Sequence, residues 1–285
     1  MLEAGKMFKK IRESKKLTQK EVADGICSPK QVSAFEQGDS NISFDKLFKL
    51  LHKLNITLQE FEFLLQGYKF DETTEMLAQA QVYYNQSKKT ALKILTKQIK
   101  ERISSKNDEL NYIKIKTLLS FLDDKVKITD REKETICDYL MSVELWGYYE
   151  LNLYATTMRL FNTEAIYTLS KEIVNKGAFY HSIPRNKKIY TSIIVNTMMA
   201  FITRADYQYA LEFKTIIESQ IDQDDFFHRT ILLFVTGVLD FGFENFDSGK
   251  AKIEDALEIM SKINSTDFLE IYQNNYEIVL KQAEL

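Results

Sequence analysis

The sequence predicts an all-α fold in two parts, five short helices at the N-terminus followed by an α-solenoid of about five helical hairpins. Three observations carry this. Helix breakers are scarce, with nine Gly and two Pro in 285 residues, well below average usage. Capping signatures recur at short spacing through the first sixty-odd residues. From about residue 72 onward, amphipathic segments of about 15 to 20 residues follow one another across brief polar connections.

The N-terminal helices are placed by their start signals. Thr18-Gln19-Lys20-Glu21 is a capping box, in which the hydroxyl accepts the Glu21 N–H and the carboxylate reaches back to the Thr18 N–H. Ser28-Pro29-Lys30-Gln31 repeats it with Pro at the first helical position, where a missing N–H costs nothing. Thr57-Leu58-Gln59-Glu60 is a third box, and Ser43 before Phe44 marks a further start. Together with the apolar spacing these give helices near 3–14, 18–24, 29–36, 44–54 and 58–66. Between the second and third lies Asp24-Gly25-Ile26-Cys27, a tight turn, with Val22, Ile26, Val32 and Phe35 facing inward. That is the layout of a helix-turn-helix. Gly38 is placed to end the third helix in the left-handed conformation.

Composition narrows the function. The chain is 45% hydrophobic and 28% charged, contains no apolar run long enough to span a bilayer, and opens on a lysine-rich segment unlike a signal peptide. A cytoplasmic location is the expectation, with no membrane contact. Cys27 and Cys137 fit neither a disulfide framework nor a metal site and are expected to be small buried apolar residues. The net charge of -3 is unevenly spread. Residues 1–30 hold eight basic and four acidic side chains, a local +4 that leaves -7 for the remainder, and a basic end suits a polyanion. No GxGxxG, GxxxxGK or HExxH is present, and His52, His181 and His228 lie far apart, each expected to be a surface or satisfied residue. No cofactor or metal is implied.

Leu17 to Ala23 and Ser28 to Gly38 resemble the lambda-repressor-like (Cro/C1, XRE-type) helix-turn-helix family, with a turn one residue shorter than in the phage repressors. The resemblance implies double-stranded DNA as partner. A recognition helix enters the major groove by its N-terminal end, so Lys30, Gln31 and Ser33, with Ser28 at the cap, are placed to reach base edges, and Ala34 a thymine methyl. Gln19 resembles the family's phosphate-binding Gln, at a helix N-terminus that attracts anions. Arg12, Lys15 and Lys16 are the expected phosphate contacts. The alternative for each is a solvated surface.

Further along, Asn85 to Leu92, Asp206 to Leu211 and Phe246 to Ile253 each read as the polar turn and second-helix start of a tetratricopeptide-type hairpin, and Asn162 to Ile166 fills the gap between them. Ile166, Ala210 and Ile253 are 44 and 43 positions apart, a unit longer than the usual ~34 residues. Helix pairs are expected near 72–104, 108–143, 145–176, 185–220 and 225–263, with a terminal helix over 266–283. The domains are then 1–66, a 67–71 linker, and 72–285. Such hairpins stack with their first helices on a concave binding face.

This architecture, with the stretch Leu145-Trp146-Gly147-Tyr148-Tyr149-Glu150-Leu151, resembles the Rgg (GadR/MutR) regulators of Gram-positive bacteria. The resemblance implies a homodimer on a two-fold promoter site, controlled by a short signalling peptide of the quorum-sensing pheromone type. RNA polymerase is a further partner in that picture. Asn152 and Asn196 fall on the first helices of successive pairs, where an amide offers donor and acceptor to an extended peptide backbone, as inner-helix asparagines do in related receptors. Arg159 and Arg204 could pair with a peptide carboxylate, and Tyr154, Phe227 and Phe234 could form apolar pockets, ordinary core packing being the alternative. Two rival readings stay open: a repeat domain that is a protein-protein scaffold without a peptide ligand, and a helical enzyme carrying a DNA anchor.

Overall fold

The computed structural model describes residues 2–67 and 72–282, in which helices are the only regular structure. The chain divides into two compact units, Met1–Met76 and Leu77–Leu285. Residues 68–71 of the expected linker lie outside the described residues.

The first unit contains α1 (Leu2–Ser14), α2 (Gln19–Ala23), α3 (Pro29–Gln37), α4 (Phe44–Lys53) and α5 (Leu58–Leu65). All three capping boxes form, at Thr18, Ser28 and Thr57, whereas Ser43 starts α4 without a side-chain cap. Gly38 takes φ 81° and its N–H closes onto Ala34 and Phe35 carbonyls. Phe8, Val22, Val32, Leu50, Leu51, Leu54 and Phe61 are buried in one core, with Ile26 packed against its edge. At about 25 cal/mol per Å² of buried apolar surface this core supplies most of the drive that sets α2 across α3.

The second unit runs through α6 (Glu72–Asn85), α7 (Lys89–Lys100), α8 (Lys106–Leu122), α9 (Asp130–Ser142) and α10 (Tyr148–Thr157), which tightens into a 3-10 turn at Met158–Leu160. It continues through α11 (Thr163–Asn175), α12 (Gly177–His181), α13 (Pro184–Ile202), α14 (Tyr207–Gln220), α15 (Phe226–Gly242), α16 (Phe246–Lys262) and α17 (Thr266–Gln282). Each expected hairpin is present, and the short α12 is an addition the sequence did not announce. The repeat-register residues Ile166, Ala210 and Ile253 are all fully buried.

First helices form the continuous layer. α8 packs on α10, α10 on α13 and α13 on α15, and edge-to-face rings join α15 to α17 (Phe234–Tyr272, centroids 4.8 Å) and α6 to α8 (Tyr84–Phe121, 6.1 Å). Within the hairpins, α15 and α16 approach each other closely. A Cβ at Gly237 would stand 2.7 Å from the Gly249 carbonyl, and one at Gly249 would stand 2.8 Å from the Gly237 carbonyl. Only two glycines facing each other allow that crossing.

Candidate DNA-reading and inner-face sites

The third helix is held from behind. Val32, Phe35 and Glu36 are buried, and at 100° per residue this leaves Lys30, Ser33, Ala34 and Gln37 on the opposite face. Lys30 and Gln37 are exposed, and Ser33 and Ala34 are half-buried at its edge. Gln37 was not anticipated, although its spacing from Lys30 and Ala34 in the sequence is the signal that finds it. Gln31 and Ser28 flank this face, exposed but engaged with each other: Ser28 N–H donates to Gln31 Oε1 and Gln31 N–H to Ser28 Oγ. Lys15, Lys16 and Lys30 are exposed and form no ion pair among the described residues.

Arg12 is a correction. Its guanidinium is 7% exposed and donates twice to the Glu36 carboxylate, at 2.6 and 2.9 Å, and once to the Leu17 carbonyl at 2.6 Å. Hydrogen bonding to Glu36 raises its pKa further above the ordinary arginine value. A side chain so committed is not free to bind phosphate. Gln19 shares the same acceptor, its Nε2 donating to Glu36 Oε2 at 2.8 Å, so one buried carboxylate fixes α1 and the start of α2 to the back of α3. Sequence reading missed Glu36.

In the second unit, the seam between α8 and α10 carries two polar pairs in one register, each linking positions 38 apart. Tyr149 Oη donates to Asn111 Oδ1 at 3.1 Å, and the Lys114 ammonium donates to Asn152 Oδ1. Burial lowers Lys114 to about 8 and pushes Tyr149 up to about 12. Asn152 and Asn196 are each half-buried on α10 and α13, and Asn196 makes no side-chain hydrogen bond among the described residues. Arg159 is exposed, its guanidinium 5.7 Å from the Phe121 ring centre, while Phe227 is 47% exposed and edge-on to Phe268.

Three expected ligand contacts are corrected. Tyr154 is fully buried, stacked near Phe161, and its hydroxyl donates to the Ile166 carbonyl beside Ser170. Phe234 is likewise enclosed, against Tyr272. Arg204 donates to the carbonyls of Ala200, Arg159 and Phe161, satisfying helix-end acceptors that have no intrahelical partner. Both cysteines are half-buried rather than fully enclosed, and desolvation raises their thiols.

His228 is satisfied, as expected, but in an arrangement that invites comparison with a hydrolase: Nδ1 lies 2.7 Å from Asp225 Oδ2 and Nε2 lies 2.7 Å from Ser192 Oγ. Ser192 sits in the middle of α13, where neighbouring N–H groups are spent on the helix and no oxyanion donors are presented. The chain of bonds ties α15 to α13.

A helix-turn-helix with an open recognition face, on the same chain as a stacked helical-repeat unit, defines a DNA-binding regulator. A family model described as HTH-type transcriptional regulator Rgg, C-terminal domain, matches residues 89–274, and a helix-turn-helix model matches residues 8–61. The chain belongs to the Rgg family of transcriptional regulators. The Streptococcus dysgalactiae SHP pheromone receptor Rgg2 is 27% identical, with 96% of this chain and 99% of that one covered and a TM-score of 0.78. PlcR of Bacillus thuringiensis, solved in complex with the peptide PapR7 and DNA, is similar at 19% identity, 96% and 99% coverage and a TM-score of 0.67. The PrgX/iCF10 complex is similar at 12% identity, 100% and 98% coverage and a TM-score of 0.72. The last two likenesses concern the fold. No helix among the described residues is long and apolar enough to cross a membrane, and no cluster of metal-ligating side chains occurs among them.

Proposed function

We propose that this regulator reads a two-fold promoter site as a homodimer and that a short peptide, bound on the layer of first helices, controls the outcome at RNA polymerase. In this reading Lys30, Ser33, Ala34 and Gln37 face base edges, with Gln31 and Ser28 beside them and Lys15, Lys16 and the N-terminus of α2 at Gln19 on phosphates. The repeat unit supplies the ligand site through Asn152 and Asn196. Arg159 and Phe227 are its exposed flanks. Nothing in the reading calls for catalysis, and the regulator acts in the cytoplasm, where its DNA is.

The observation that carries the proposal is the state of Asn196. A half-buried amide next to Val195 and Met199 on an inner helix, with donor and acceptor both unspent among the described residues, is matched by an extended peptide backbone. The likeness to a pheromone receptor supports the same reading. The ligand acts by binding one arrangement of the protein more tightly than another.

The test is to titrate short apolar peptides encoded beside the gene against the purified chain while following binding to its own upstream DNA. A peptide-dependent change in DNA affinity or in transcription, reduced in Asn152→Ala/Asn196→Ala with basal DNA affinity unchanged, is expected. Equal response in that double variant would place the ligand elsewhere. A second reading, in which the repeat unit docks a protein, draws on the cleft of about 180 Å³ between α9 and α11, lined by Trp146, Leu169 and Tyr180 and rimmed by Met141. A stoichiometric protein partner with no peptide response would favour it.

A further inference from the structure

We propose that Lys114, with Asn152, is a carboxylate-binding site on the inner helix layer, so that the controlling peptide must present a free carboxylate there. This deepens the function proposed above and rests on it.

Lys114 is 8% exposed, and its ammonium has no acidic partner among the described residues. Arg12, the other buried cation among them, does, and so do several partly covered lysines. Arg12 pairs with Glu36, Lys116 with Glu132, and Lys252 with Asp240. Removing a charge from water without an opposing charge is costly, so a chain that keeps a lone ammonium on its ligand layer is missing an anion. The hydrogen-bond inventory says what kind. One of three ammonium protons goes to Asn152 Oδ1, which turns the Asn152 amide nitrogen away as a donor. Two adjacent groups thus offer only N–H donors, the complement of an acceptor with two oxygens and a negative charge. Asn152 itself is half-exposed, so a ligand that reaches its amide is within one hydrogen bond of the lysine. With burial placing Lys114 at about 8, the amine is mainly protonated at neutral pH.

A chain terminus and an acidic side chain share this chemistry, and the test separates them. Fluorescein-labelled synthetic octapeptides rich in Leu, Ile and Phe and carrying one acidic residue would be made as the free acid, as the C-terminal amide, and with the acidic residue replaced by its amide. They would be titrated against the full chain by anisotropy. One of the two neutralised forms should bind the native chain roughly tenfold or more weaker than the free acid, the worth of a charge-assisted hydrogen bond. Lys114→Met should weaken the free acid to that level while leaving the neutralised form unchanged, and Lys114→Arg should retain most of the binding. Equal binding of all three forms to the native chain, or equal losses for all three in Lys114→Met, would overturn the proposal. Should Lys114→Met not fold, as read from Trp146 fluorescence, the native-chain arms and Lys114→Arg decide. If no peptide binds while upstream DNA does, peptide control and the carboxylate site fall together; if peptides bind regardless of charge, only the site falls.

Discussion

Replacing Glu36 with Gln tests how the DNA-reading helix is held. The substitution keeps the shape of the side chain and removes its charge, leaving the Arg12 guanidinium, whose side chain is 8% exposed, with only the solvent-exposed carboxylate of Glu13, 3.6 Å away, as a counter-charge. Breaking a buried pair from one side costs about 3–5 kcal/mol. A unit the size of Met1–Met76 has a total stability on the order of 4–11 kcal/mol at the usual 0.05–0.15 kcal/mol per residue. The change therefore takes roughly a quarter or more of it. At roughly 4–8 °C per kcal/mol for a domain of this size, the melting temperature of the first unit should fall by about 12 °C or more. The chain's single tryptophan, Trp146, lies in the second unit. Circular dichroism should thus show an early loss of helix that tryptophan fluorescence does not follow. Arg12→Met/Glu36→Met should recover much of the loss, because an apolar pair of similar volume needs no desolvation repaid. A Glu36→Gln protein whose early transition stays within about 1 kcal/mol of the native one, or a double variant no more stable than the single, would refute the reasoning.

Lys30→Ala should weaken promoter binding by about 1–3 kcal/mol and relax preference at one base position, whereas Lys15→Gln or Lys16→Gln should weaken all sequences alike and reduce the salt slope by about 1 each; footprinting across a salt series separates the two. Gly237→Ala places a Cβ within 2.8 Å of both the Gly249 carbonyl and the Ile253 side chain and should cost the second unit about 1–3 kcal/mol, measured by Trp146 fluorescence in urea. Lys114 titrates at about 8 in the folded chain against 10.5 for an ordinary lysine. Between those values the unfolded chain holds a proton the folded chain has released, so the unfolding free energy should rise with pH by about 3 kcal/mol in total. The rise should be absent from Lys114→Met.

Short-range signals were legible where they act locally. The boxes at Thr18, Ser28 and Thr57 formed because both partners lie within one turn of each other, and Gly38 closed α3 for the same reason. The repeat register was legible through Ile166, Ala210 and Ile253, since stacked hairpins bury equivalent positions. What was not legible depends on contacts between distant segments. Arg12 reads as a basic surface residue until Glu36, 24 positions away, is brought to it. Arg204 reads as a ligand cation until the carbonyls of Arg159 and Phe161 arrive.

The ambiguity of the aromatics has a different origin, and it bears on where function should be sought. Helix α15 buries Ile231, Leu232, Phe234, Val235, Val238 and Leu239, and thus most of its circumference. A helix covered on nearly all sides has no outward stripe, so a period of 3.6 cannot tell a core ring from a pocket ring, and the sequence left Tyr154 and Phe234 open between pocket and core. In such helices the informative residue is the polar one that the apolar period places inside. Glu36 lies four positions after Val32 and Lys114 four after Leu110, each on the buried face of its helix. One met its counter-charge within the chain and became a structural pin. The other has no acidic partner among the described residues, and a buried charge so placed is the physical reason to look for its partner in the ligand.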